Sequence, residues 1–412
     1  MKTVKNIYPQ IYEFGNLLAA AKKAQKGKRQ QKNVAYFNFN LEKQLTTLKQ
    51  QLEDKSYQPG KYKTFTIYEP KQRMISAAPY IDRVVHHAVC NIIEPVFEKS
   101  FIYDSYANRK GKGTHKALDR YKKFAQLNRY VLKMDIKNYF PSIDHQILKS
   151  LIRKKIGCKQ TLHLIDLIID NSNPQKPSLE NFPGDNLFTA VERKKGLPIG
   201  NLTSQFFANI YLNPLDHFIK EKLQLKYYIR YVDDFVVFSN SKKELHETLI
   251  KINDFLTGLR LKLHKNKSKV FPVSVGIPFL GHKMYPYYSL LKNDNVKRFR
   301  KKLKKKVKLL KQEEMSVDEL YKSIQSWGAH ARYSKTYKLR KAINDELLNQ
   351  GINLKQVVSF GAAHGTTTQT TAVLPTATGT TPTIRTTTTG FVLPANTTKN
   401  QNFLFPQSVV TE

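Results

Sequence analysis

Two aspartates stand side by side at positions 233 and 234, inside the otherwise apolar run YIRYVDDFVVF. An Asp-Asp pair by itself most often marks a solvated hairpin turn. The surroundings argue for more, because two like charges in a mostly buried hairpin repel and desolvate one another unless a cation lies between them. A third carboxylate, Asp135, comes near the end of the separate run YVLKMDI. Together the three offer an all-oxygen ligand set of the kind magnesium prefers. A pair of such ions clamps an attacking 3′-hydroxyl and a leaving pyrophosphate in an in-line displacement, with no side-chain nucleophile required. The chemistry implied is nucleotidyl transfer.

Strands must position these groups. Residues 130 to 136 alternate so that Val131, Lys133 and Asp135 share one face of a strand. The segment KYYIRYVDDFVVFSN predicts two short strands joined by a tight turn at the aspartate pair. Upstream, IDRVVHHAVCNIIEPVF at 81 to 97 places Val85, Ala88, Val89 and Ile92 on one face of a buried helix that Pro95 ends or kinks. Downstream, Asn293 or Asp294 caps a helix in which Val296, Phe299, Leu303, Val307 and Leu310 recur at helical spacing among lysines and arginines. Helical and strand patterns alternate without a long repeat, which predicts an α+β organisation.

The chain has 412 residues, 40% hydrophobic and 11% aromatic, enough for a substantial core and more than one domain. Its net charge of +37 calls for a polyanionic partner. Nucleic acid fits better than membrane, since no segment approaches the roughly eighteen continuous apolar residues of a spanning helix. MKTVKNIYPQ lacks the apolar stretch of a signal peptide, and two cysteines, Cys90 and Cys158, are too few for a disulfide framework. A reducing, cytoplasmic setting is expected. Beyond residue 360 only Arg385, Lys399 and Glu412 carry charge, so almost all the excess belongs to the body. The Thr- and Pro-rich tail that remains reads as a flexible extension or as short strands seeking an edge.

With YVDD at 231 to 234 and KMDIKNYFPSID at 133 to 144 in place, the sequence resembles a reverse transcriptase. The ordered set is more telling than either motif: KQRMISAAPYIDRVV at 71 to 85, SYANRKGKGTHKAL at 105 to 118, GLPIGNLTSQFFANIYL at 196 to 212 and FLGHKMYP at 279 to 286 follow in family order. Within that family it resembles the enzymes of diversity-generating retroelements, which copy a template RNA unfaithfully at adenines. Ile199 and Gln205 stand where most other members carry Gln before the glycine and Pro after the serine, and SWGAHARYSKTYKLR at 326 to 340 is similar to that group's thumb.

The resemblance implies a right-hand polymerase whose antiparallel palm sheet carries the carboxylates: fingers and palm over 1–285, a helical thumb over 286–355, and the Thr-rich tail over 356–412. It implies two magnesium ions, replaceable by manganese, held by Asp135, Ile136, Asp233 and Asp234. Arg73 and Lys71 would grip the triphosphate, and Phe140 would exclude a ribose 2′-hydroxyl. Ile199, Gly200 and Gln205 would line the nascent base pair, where an apolar Ile199 offers no hydrogen bond to hold the nucleotide in register. Lys267 is a candidate general acid for the departing pyrophosphate. Arg109, Lys110 and Lys112, with Lys301, Lys304 and Lys305 on the basic helix, are candidate contacts to nucleic acid backbone. Expected partners are a structured template RNA, the RNA/cDNA duplex, dNTPs and a small basic accessory protein, with no membrane. Two alternatives stay open: a phage-defence reverse transcriptase, which the tail favours, and a catalytically idle RNA-binding module on a polymerase scaffold.

Overall fold

The computed structural model describes residues 3–68, 71–172, 180–186 and 188–352. The Thr-rich tail expected at 356–412 lies outside them. The described residues fall into two compact units, the first ending at Lys292 and the second beginning at Asn293.

In the first unit helices and antiparallel sheets mix, as the alternating patterns predict. The long helix Tyr80–Glu98 buries Val84, Val85, Ala88, Val89, Ile93 and Phe97, and the helix Phe14–Ala24 packs along it. It runs through Pro95 and ends within a turn. Ahead of it, β1 (Lys63–Ile67) and β2 (Arg73–Ala77) form an antiparallel hairpin. A four-stranded sheet then gathers β3 (Tyr130–Asp135), β4 (Tyr228–Tyr231), β5 (Asp234–Ser239) and β6 (Lys269–Pro272) in the order β4-β5-β3-β6, antiparallel throughout. Alternation along β3 and β5 sorts their side chains. Leu132, Met134, Phe235 and Val237 belong to the main core, together with Phe207, Tyr211 and Leu215 of the helix Leu202–His217. The opposite face carries Val131, Lys133 and Asp135 beside Asp234, Val236 and Phe238. Part of that face is covered where Tyr121 packs edge-on against Phe238 and tilts against Phe279.

Phe279 ends β7 (Ile277–Phe279), which pairs with β8 (His282–Met284) and β9 (Ser289–Leu291) in a three-stranded sheet. The boundary expected after residue 285 would sever this sheet. The first unit instead runs to Lys292, because His282 of β8 pairs with Leu291 of β9.

The second unit contains the helices Asn293–Lys311, Val317–Arg332 and Tyr337–Leu348. Phe299, Leu303 and Val307 are buried with Leu320, Ile324, Ile343 and Leu347, and Phe299 stacks on Trp327 with centroids 4.0 Å apart. Lys301, Lys304 and Lys305 are exposed, giving the greasy and basic faces that the spacing predicts. Ser316 and Glu319 form a capping box at the second helix. No helix among the described residues is long and apolar enough to cross a membrane.

Candidate active site

Strand register brings the carboxylates together. Asp135 at the end of β3 lies directly opposite Asp234 at the start of β5, and the tight turn between β4 and β5 is Val232-Asp233. Cross-strand partners have Cβ atoms roughly 5 Å apart, so residues distant in sequence become immediate neighbours. Val232 adopts φ of 57°, a left-handed conformation that a β-branched residue rarely accepts. The end of β3 is pinned by the segment that follows helix Lys242–Gly258: the His264 N–H donates to the Asp135 carbonyl at 2.8 Å, and the Lys137 N–H to the Lys262 carbonyl at 2.9 Å. Between those residues the Ile136 N–H donates to the Asp233 carbonyl at 3.4 Å. Ile136 is buried and its side chain is apolar, so only its main-chain oxygen could serve a metal.

The electrostatics register the crowding. Burial pushes the Asp234 carboxyl up to about 7, with Lys133 pulling against the rise and the charges of Asp135 and Asp233 adding to it. Asp233 is raised too, by burial first and then by Asp135, against the opposing charges of Arg73 and Lys267. Cations already lie on this cluster. Lys267 places its ammonium on the Asp135 carboxylate from a side chain 42% exposed. Lys133 reaches to 3.7 Å from Asp234 while donating to the Pro278 carbonyl at 2.7 Å. One Asp234 oxygen is buried with no hydrogen-bond partner. Among the described residues no three acidic, His or Cys side chains are gathered as a metal cluster, and Lys267 and Lys133 pair with Asp135 and Asp234. The donor chemistry nevertheless suits a hard divalent ion: three carboxylates, mutual repulsion to be relieved, and a buried Asp234 oxygen that only the Lys133 ammonium approaches, at 3.7 Å.

β2 and the loop before helix Leu202–His217 are joined to each other. The Ser76 N–H donates to the Ile199 carbonyl at 3.1 Å, and the Asn201 amide donates to the Ser76 carbonyl at 3.1 Å. Gly200 sits at φ of 115°, where an added Cβ would meet Ile75 at 3.1 Å, so both backbone conformation and close approach require glycine. The Leu197 N–H donates to the Phe140 carbonyl at 2.9 Å, tying this loop to the turn after β3. Phe140 is half-buried, Gln205 lies in the first turn of the helix, and Lys71 and Arg73 are exposed.

The sequence profile of the reverse transcriptase (RNA-dependent DNA polymerase) family matches residues 59–284, more than half of the chain and the stretch that holds every element of this site. The chain belongs to the reverse transcriptase family. YkfC of Escherichia coli K12 is 25% identical over 296 residues, covering 61% of this chain and 74% of that protein. The group II intron-encoded protein LtrA of Lactococcus lactis is 30% identical over 188 residues, or 45% of this chain and 29% of LtrA. An apo telomerase from Candida tropicalis aligns with a TM-score of 0.42 at 16% identity, over 57% of this chain and 55% of that one. The matched region is thus an RNA-directed DNA polymerase domain, of a family that uses divalent metal ions.

One of the expected nucleic-acid contacts is corrected by the geometry of this reverse transcriptase. Arg109 is 6% exposed, and its guanidinium is consumed by a bidentate pair with Glu98 and by the carbonyls of Ile102 and Ser105. It braces its own loop and has no fork left for a phosphate. Lys112 donates to the Tyr103 carbonyl at 2.8 Å with its ammonium 3.3 Å from the Tyr103 ring centroid. Lys110 is exposed. Spacing alone also passed over Arg230 and Asp216, an ion pair wholly buried beneath the aspartate turn. The available signal was a charged residue in each of two apolar runs, YYIRYV and NIYLNPLDHF.

Two outcomes follow. A carboxyl raised from about 4 to about 7 contributes stability that is complete below pH 4 and lost as pH rises through 7. The metal-free protein should therefore melt at lower temperature at pH 8 than at pH 5.5, magnesium should raise the melting temperature more at pH 8 than at pH 5.5, and Asp234→Asn should flatten both trends. Identical pH profiles for the variant and the parent would contradict this assignment. Separately, Arg109→Ala should lower stability to urea by about 1–2 kcal/mol through the lost carbonyl contacts and the lost pair with the partly exposed Glu98. Lys110→Ala should leave the urea midpoint unchanged and weaken RNA binding at low salt.

Proposed function

We propose that this chain copies a structured RNA template into DNA, with Asp135, Asp233 and Asp234 as the carboxylates that hold two magnesium ions, for which manganese substitutes. The observation that carries the reading is the β3–β5 register, which sets Asp135 opposite Asp234 with Asp233 on the adjoining turn. The ions, when bound, supply charge to the attacking and leaving oxygens. Kinship with an intron-encoded protein supports RNA as template. In this reading β1, β2 and the N-terminal helices are fingers, the four-stranded sheet is the palm, and the second unit is a thumb whose Lys301, Lys304 and Lys305 follow the duplex backbone without reading sequence. A small basic accessory protein and a cytoplasmic setting complete the proposal.

The chain's own groups divide the work. Arg73, whose charge is felt at Asp233, and Lys71 on the same exposed stretch grip the triphosphate. Phe140 closes the sugar pocket against a 2′-hydroxyl. Lys267 leaves Asp135 and gives a proton to the departing pyrophosphate, which its exposed stem permits. Ile199 and Gln205 support copying that errs at adenines, as in retroelement mutagenesis. Ile199 is tied by its backbone carbonyl to Ser76 of β2, the strand that also carries Arg73. A phage-defence role draws its support from the tail, outside the described residues.

Asp233→Ala combined with Asp234→Ala should abolish magnesium-dependent cDNA synthesis and leave RNA binding largely intact; synthesis at the parental rate would remove the mechanism. Ile199→Gln should lower misincorporation opposite template adenine by about tenfold, as read by deep sequencing of the cDNA. An unchanged error spectrum would detach Ile199 from fidelity.

A further inference from the structure

The buried pair beneath the aspartate turn is more elaborate than packing requires. Arg230 lies in β4, just before Tyr231 and the turn, and both it and Asp216 are fully buried. The guanidinium forks onto the carboxylate, Nε to Oδ1 at 2.7 Å and Nη2 to Oδ2 at 2.6 Å, and the Tyr228 hydroxyl donates to the same Oδ1 at 2.8 Å. The remaining nitrogen, Nη1, donates to the Asn209 Oδ1 at 3.1 Å and to the Val232 carbonyl at 3.2 Å. Asn209 is fixed in turn by donating to the Ala107 carbonyl at 2.8 Å. The backbone of Arg230 is clamped as well: its N–H donates to the Asp104 carbonyl, and its carbonyl accepts from the Tyr106 N–H, both at 3.0 Å.

Buried ion pairs are often replaceable by apolar residues of similar volume without loss of stability, so stability alone does not account for this one. Geometry supplies a reason. Val232 holds a backbone conformation unfavourable for valine, and its peptide leads directly into Asp233. An arginine anchored at three points can hold that carbonyl at a fixed place, whereas a lysine offers a single flexible ammonium.

We propose that Arg230 is a positioning residue: by holding the Val232 carbonyl, with Asp216 and Asn209 fixing its fork, it locks the aspartate turn in the conformation that presents Asp233 alongside Asp135. The inference rests on the reading of Asp233 as a metal-binding carboxylate. It makes the helix Leu202–His217, which contributes Asn209 and Asp216, a support for the metal ligands as well as a core element.

Three readouts test it on the full chain: hydrogen exchange of the amides of residues 231–234, half-saturating Mn2+ from the free-ion paramagnetic signal without substrate, and melting temperature. Arg230→Lys should accelerate exchange in the turn and raise half-saturating Mn2+ by about tenfold, since small misplacements of catalytic groups carry effects up to a hundredfold. The pair replacement Arg230→Met with Asp216→Leu removes both charges together but leaves the Tyr228 hydroxyl and the Asn209 amide oxygen without those partners, so it should fold, melt below the parental temperature and show the same turn and metal defects. Parental exchange and Mn2+ binding in a folded pair variant would overturn the proposal. Should that variant fail to fold, parental exchange and Mn2+ binding in Arg230→Lys alone would do so. Failure of the underlying reading is separately visible, as parental Mn2+ binding after Asp233→Ala with Asp234→Ala.

Discussion

Three negative charges at one end of an apolar sheet are the condition around which this molecule is arranged. β3 and β5 bury Leu132, Met134, Phe235 and Val237 on one face, and their register leaves Asp135 and Asp234 side by side on the other, with Asp233 at the adjoining turn. Burial and mutual repulsion make full ionisation unfavourable, as the raised Asp233 and Asp234 carboxyls show. Cations resolve the conflict. Lys133 and Lys267 supply part of the compensation from within the chain, and a strongly attracted divalent ion would supply more.

The two lysines differ in how firmly they are held. Lys133 rises from β3 itself and donates to the Pro278 carbonyl, which holds its charge on the Asp234 side of the site. Lys267 comes from a following loop, with its stem exposed and only its tip on Asp135. That asymmetry suits one lysine to constant electrostatic support and the other to exchange with an incoming ion or phosphate. Beneath the turn, the rigid Arg230–Asp216 fork supplies a positional constraint that neither lysine can, because it touches the backbone rather than the carboxylates.

The chemistry-bearing core was legible in the sequence because its signals are local. Period-two alternation in YVLKMDI and an aspartate pair inside YIRYVDDFVVF mark two strands and a turn without reference to the rest of the chain. The basic helix likewise declared its two faces through spacing, with Phe299, Leu303 and Val307 buried and Lys301, Lys304 and Lys305 exposed. What escaped depends on partners far away. Arg109 read as a free cation because Glu98 and two carbonyls close around it only in the folded loop. Arg230 carried no signal of its pairing within its strand, because its partner Asp216 lies on a separate helix. The boundary that the family resemblance implies at 285 falls inside a sheet, and strand pairing between His282 and Leu291 carries the first unit past it.

A crystal soaked with Mn2+ and a non-hydrolysable incoming nucleotide tests the central claim most directly, because anomalous scattering locates the ions independently of activity. The ions should lie on the carboxylates of Asp135, Asp233 and Asp234, with Lys267 displaced from Asp135. Ordered Mn2+ elsewhere, with Lys267 still seated on Asp135 while nucleotide is bound, would contradict it.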